Sequence, residues 1–199
     1  QRLEENLDPA KMVVNTGGSV TLMLDVSGSM RGKPHEDLKQ AVNDLKDKFG
    51  DSVRWVAFAS QATLDTDVDN DIDKAYASCG GGTAYVPALD LLMTANQKGL
   101  IDLNKLVIFS DGEPYDVEES RNKILELGCE VDVIYIGNGN EAFLKELAES
   151  TGGTLQQVDD VKSANIQTVV AEGIATSFKL GQAGNFPFGD LLRKSALKE

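Results

Sequence analysis

Five oxygen-bearing side chains stand out by type and position: Asp25, Ser27 and Ser29 at alternate positions, Thr83 after three glycines, and Asp111 in an Asp-Gly-Glu run. Together they would supply three hydroxyls and two carboxylates, with no sulfur and no imidazole. Such hard oxygen donors suit Mg²⁺ or Mn²⁺, with Ca²⁺ a possible substitute, and do not suit zinc or copper. Mg²⁺ asks for near-octahedral geometry at about 2.1 Å and gives up its waters reluctantly. Neutral hydroxyls cancel little of an ion's charge, so a site with only two carboxylates would leave the ion electron-poor, with an open position. An ion in that state should recruit a carboxylate from another molecule, which makes the set a binding device.

The elements around these residues are those needed to bring them together. Ser19–Val26 is a short apolar run that reads as a strand buried on both faces, as in a parallel sheet, and it ends in the loop bearing Asp25, Ser27 and Ser29. Alternate residues of an extended turn point the same way, so these three can face one ion. Lys105–Ser110 is a second buried-type strand and runs into Asp111-Gly112-Glu113. Glycines 80–82 open a loop before Thr83, a position suggesting that the backbone must approach the ion closely, and Pro87 suits the first turn of the helix that follows.

Elsewhere, Leu38, Ala41, Val42, Leu45 and Phe49 repeat at helical spacing up to Gly50. Val53–Ala59 and Ala62–Val68 are close enough to form a hairpin, which puts one antiparallel strand in the sheet. Asp116 with Glu119 resembles a helix start, and Gly128 closes that helix. Val131–Ile136 is a strand, Phe143, Leu144, Leu147 and Ala148 mark a helix, Thr154–Val158 an edge strand, and Ile166 to Phe178 a last helix. Strands alternating with helices make an α/β sandwich with helices on both faces. In open parallel sheets, ligands bind beyond the carboxyl ends of the strands, where strand order reverses.

Asp25-x-Ser27-x-Ser29 after an apolar strand, then Thr83, then Asp111-Gly112 resembles the von Willebrand factor type A domain and its metal-ion-dependent adhesion site. The likeness covers roughly residues 13–180. It implies a Rossmann-like three-layer fold, a mostly parallel sheet with one antiparallel edge strand. It also implies that Ser27 and Ser29 coordinate the metal directly, Thr83 directly or through water, and Asp25 and Asp111 mainly through water. Partners of such domains supply an Asp or Glu carboxylate. The resemblance is nearest to intracellular, bacterial or phage-type members, often adaptors of MoxR-type AAA+ ATPases or assembly complexes.

Composition narrows the alternatives. The 199 residues form one domain with an N-terminal arm (1–12) and a C-terminal tail (181–199). The net charge of −13 repels phosphate backbones, so nucleic acid is not an expected partner. No run approaches the ~18 apolar residues of a membrane span, the first twenty residues are not signal-like, and Cys79 and Cys129 read as reduced thiols. A cytoplasmic location is the expectation. Catalysis is not expected: Val26-Ser27-Gly28-Ser29-Met30 is no Gly-x-Ser-x-Gly elbow, there is one histidine, and neither phosphate-binding nor dinucleotide-binding glycine motifs occur.

Four other features have readings of their own. The acidic run Asp65–Asp73 lacks the turn glycine and the final glutamate of a calcium loop, so it reads as a solvated acidic edge. His35, beside Pro34, reads as a surface residue, while Glu113 and Asp116 lie near the proposed metal rim. The tail contains Phe186-Pro187-Phe188 and a short amphipathic stretch. An alternative therefore gives subunit docking to the tail and leaves the metal site merely structural.

Overall fold

The computed structural model describes residues 19–139 and 141–174. The arm at 1–12, the tail at 181–199 and the Phe178 end of the expected last helix lie outside the described residues. Among the described residues, six strands form one sheet: β1 (Val20–Asp25), β2 (Val53–Phe58), β3 (Ala62–Leu64), β4 (Lys105–Ser110), β5 (Glu130–Ile136) and β6 (Leu155–Val158). Their order is β3-β2-β1-β4-β5-β6, and every pairing is parallel except β2 with β3. The helices are α1 (Lys33–Phe49), α2 (Ile72–Ser78), α3 (Val86–Gln97), α4 (Val117–Leu127), α5 (Ala142–Ser150) and α6 (166–174).

The continuous apolar runs follow from burial of both sheet faces. Because side chains alternate along a strand, Leu22 and Leu24 of β1, Trp55 of β2 and Phe109 of β4 pack with α1, α2 and α6. Met23, Val56, Phe58 and Ile108 pack against α3, α4 and α5. Each such fully buried side chain contributes about 1.5–3 kcal/mol by leaving water. β1 and β4 lie at the centre, with all six residues of each buried. The rigid middle of the sheet thus carries the two loops of greatest chemical interest. Among the described residues no helix is long and apolar enough to cross a membrane.

The structure corrects two readings. α1 begins at Lys33, with Pro34 in its first turn, where a missing N–H costs nothing. His35 is therefore a helical residue and buried: its Nε2 lies 3.0 Å from Asp73 Oδ1, and its ring centroid is 4.5 Å from that of Tyr76. Nor is the acidic run simply a solvated edge. Only Ala62–Leu64 pairs as strand, Asp65–Val68 forms a 3₁₀ turn, and Asp65 is fully buried in a fork of Arg54. Asp71 caps α2 by accepting from the Asp73 and Lys74 amides. Charge pattern alone could not separate these internal partners from solvation.

Candidate functional site

Strand order reverses between β1 and β4: β2 lies on one side of β1, and the chain returns to its other side only with β4. Leu24 is in register with Phe109, so Asp25 and Ser110 are neighbours at the two carboxyl ends. Asp25 is fully buried. Its Oδ1 accepts the Ser27 amide at 2.9 Å and its Oδ2 accepts the Ser110 hydroxyl at 2.6 Å. After Ser27 the chain turns in a short 3₁₀ stretch, Gly28–Met30, rather than continuing extended. The turn keeps the two serine hydroxyls 3.1 Å apart and leaves Ser29 exposed. Ser29 Oγ donates to Asp111 Oδ1 at 2.9 Å. Asp25, Ser27, Ser29 and Asp111 are therefore linked in one hydrogen-bonded chain.

Thr83 joins through the backbone. The Gly28 amide donates to Gly81 O at 3.1 Å, and Thr83 O accepts the Tyr115 amide at 3.1 Å. The glycine loop is also tight for a reason that its sequence does not show. The Gly82 amide donates to Ser60 Oγ at 2.9 Å, and a Cβ on Gly82 would lie 2.7 Å from that oxygen. The close approach is thus to a serine side chain of the β2–β3 turn. Ala84, fully inside, ties the same segment to Ala59 O at 2.8 Å.

The electrostatics are those of an acid short of a counter-charge. Burial pushes the Asp25 carboxyl up to about 6, against the opposing pull of its hydrogen bonds from Ser110 and Ser27, and the nearby Asp111 pushes it further the same way. Tyr85, beneath the site, is raised well above the ordinary phenol range by burial and then by the charge of Asp25. Among the described residues, no Lys, Arg or His side chain pairs with Asp25 or Asp111. Nor, among them, do three His, Cys, Asp or Glu side chains converge on one point. A cation at this end of the sheet would depend on hydroxyls and two acids. The donors fit a hard divalent ion, whose charge the buried carboxylate would offset.

Sequence reasoning passed over Ser110, Ser60 and Tyr85. Ser110 carried the clearest signal: it is the only polar side chain in the second half of an otherwise apolar strand, and it stands at the strand's carboxyl end. Asp116 reads from the sequence as a helix start. It sits at the N-cap position of α4 but makes no side-chain cap there. Its carboxylate instead accepts the Tyr85 amide at 3.0 Å and the Val86 amide at 2.8 Å, capping α3 from outside.

A family model of the von Willebrand factor type A domain matches residues 19–172, which is most of the chain. The chain belongs to that family. Domains of the family are generally protein-interaction modules without catalytic activity. The human collagen alpha-5(VI) chain is 25% identical over 193 residues, a match that spans 85% of this chain but 7% of the collagen chain's length. A solved structure of an aerotolerance-related membrane protein from Bacteroides fragilis NCTC 9343, carrying multiple mutations to serines, is 20% identical. It covers 82% of this chain and 99% of its own, with a TM-score of 0.56, and so supports the type A fold.

Proposed function

We propose that this type A domain captures a carboxylate of a partner protein through a divalent cation, Mg²⁺ foremost, held by Ser27, Ser29, Thr83, Asp25 and Asp111. The observation that carries the reading is Asp25: a fully buried carboxylate at the sheet's switch point, hydrogen-bonded only by neutral groups among the described residues and linked through two serines to a second acid. Ser27 and Ser29 would present hydroxyl oxygens to the ion, Thr83 would add a third from the glycine loop, and the two acids would balance its charge. When bound, the ion would supply an electrophilic position for an incoming Asp or Glu. The exposure of Ser29 leaves that position open to a macromolecular partner. An adaptor role with a MoxR-type AAA+ ATPase, in the cytoplasm, is the partner class and setting that belong to this reading.

Two single substitutions test it. Ser27→Ala and Thr83→Ala each remove one oxygen donor and leave the buried sheet untouched. Both should retain the fold by circular dichroism, bind Mg²⁺ at least tenfold more weakly by titration calorimetry, and lose Mg²⁺-dependent capture of partner in a pull-down. Equal Mg²⁺ affinity in the wild type and both variants, or capture indifferent to EDTA, would remove the basis of the proposal.

A further inference from the structure

Four of the five donors are chained together by hydrogen bonds in which at least one partner is a side chain of the set, whereas Thr83 depends on its backbone alone for its place. Two loops meet there. One runs from Gly81 to Val86 and carries Thr83; the other runs from Asp111 to Asp116 and carries the second acid. The Tyr115 amide donates to Thr83 O at 3.1 Å, and the Tyr85 hydroxyl, from a fully buried ring, donates to Gly112 O at 3.2 Å. Asp116 makes the remaining contacts: Oδ1 accepts the Tyr85 amide, Oδ2 accepts the Val86 amide, and Ser120 Oγ holds Oδ1 at 3.1 Å. Ser120 is itself fully buried, so the carboxylate is braced from behind by α4 while it grips the first amides of α3.

The two amides it grips would otherwise have no partner, because the first turn of a helix leaves its N–H groups unsatisfied and Tyr85, at the N-cap position, supplies no side-chain cap. Asp116 satisfies them from a different helix. A carboxylate accepting two backbone N–H groups at once fixes both position and direction, since charge-assisted bonds are shorter and stronger than neutral ones. Thr83 lies two residues before the first of these amides, and Asp111 lies five residues before Asp116 in the opposing loop.

We infer that Asp116 is a positioning residue for the metal site: it locks the Thr83 loop onto the Asp111 loop and so sets the separation of two donors that no side-chain hydrogen bond joins. The inference rests on the cation reading above. It goes further in assigning cation affinity to a residue that touches no ion.

Asp71 provides the control, because it too is a carboxylate that accepts two backbone amides at a helix start, but it does so for α2, which carries none of the five donors and does not lead straight out of one. The experiment compares the full chain with Asp116→Ala, Asp116→Asn and Asp71→Ala. It reads melting temperature in EDTA, Mg²⁺ affinity by calorimetry, and amide hydrogen exchange of residues 83–86 and 115 without metal. Asp116→Ala and Asp71→Ala should lower the melting temperature by similar amounts. Only Asp116→Ala should weaken Mg²⁺ at least tenfold and speed exchange at Tyr85, Val86 and Tyr115. Asp116→Asn keeps one acceptor oxygen and should fall between it and wild type, which preserves the test if the alanine variant does not fold.

Unchanged Mg²⁺ affinity and unchanged exchange in the Asp116 variants would make Asp116 an ordinary helix cap and overturn the inference while leaving the cation reading intact. A wild-type chain that does not bind Mg²⁺ overturns both. Loss of affinity in Asp71→Ala equal to that in Asp116→Ala would show a general effect of helix capping and overturn the positioning role alone.

Discussion

Asp25 and Asp65 are both fully buried aspartates at the ends of adjacent parts of one sheet, yet their surroundings are opposite. Asp65 is met by a two-pronged guanidinium: Arg54 Nε and a terminal nitrogen each lie 2.7 Å from its oxygens, with Lys46 Nζ at 3.6 Å. It also accepts the Thr66 amide at 2.8 Å and the Trp55 amide at 3.3 Å. In return, the bond to Asp65 holds the Arg54 guanidinium above its usual range. Asp25 receives only an amide and a hydroxyl among the described residues. A buried acid that brings its own cation closes a turn. One that brings only neutral donors is stabilised in part by them and leaves room for a charge from outside.

The largest effect should come from breaking the self-sufficient pair. Asp65→Ala strands a half-buried guanidinium and two amides, and should cost about 3–5 kcal/mol of unfolding free energy, the usual toll for removing one partner of a buried pair. Urea denaturation measures it, and the loss should be the same in EDTA and in Mg²⁺. A metal-dependent loss would mean that the Asp65 turn and the cation site are one unit, and the contrast between them would fail.

Asp25→Asn should behave in the reverse sense. The amide keeps an oxygen for the Ser27 N–H while removing a buried charge, so in EDTA the variant should be as stable as wild type or more so. In Mg²⁺ at a hundredfold excess over Kd, wild type should gain about 2.7 kcal/mol by mass action and the variant nothing. The pH dependence carries the same sign. With a folded value of about 6 against 3.8 for an ordinary aspartate, Asp25 binds its proton more tightly in the native state. Metal-free wild type should therefore lose stability as pH rises from about 4 to about 6, relative to Asp25→Asn, and change little above that. Parallel curves for the two proteins would put a cation of the protein's own beside Asp25.

The Asp25 side of this contrast is legible in the sequence, and the Asp65 side is not. β4 agrees residue for residue with the Lys105–Ser110 run, and β1 lies within Ser19–Val26, because strands buried on both faces are written as uninterrupted apolar stretches. The donors were legible because hydroxyls and acids cluster where those runs stop. What stayed hidden was every partnership formed across the sequence. Asp65 and Arg54 are eleven residues apart, on a turn and a strand, and nothing in an acidic run marks which member points inward. Asp116 reads as the cap of its own helix, since local spacing cannot reveal that α3 offers better-placed amides. α2 escaped notice because seven residues make too short a periodic pattern to see beside so many charges.

Ser110→Ala should have a smaller effect. It removes the hydroxyl that donates to Asp25 Oδ2 and leaves a buried carboxylate with one fewer donor, which costs about 1–3 kcal/mol in EDTA. Combined with Asp25→Asn, most of that cost should vanish, because a neutral amide needs the donor less than a carboxylate does. A double-mutant cycle on unfolding free energies measures the coupling. Simple additivity would mean that the serine supports packing and not the charge.

The smallest change in fold stability should accompany Ser29→Ala, and that is what makes it the finest test of the comparison. Ser29 is exposed and bonded only to Ser27 and Asp111 at the surface among the described residues, so its loss in EDTA should stay within about 0.5 kcal/mol, as for most exposed positions. It nonetheless bridges the buried half of the site to the exposed half. If the chain from Asp25 to Asp111 exists to hold an ion, removing its middle oxygen should abolish most of the Mg²⁺-induced rise in melting temperature while the metal-free melt is unmoved. A variant that melts like wild type in both conditions would reduce the serine bridge to a surface hydrogen bond, and the buried Asp25 charge would need another explanation.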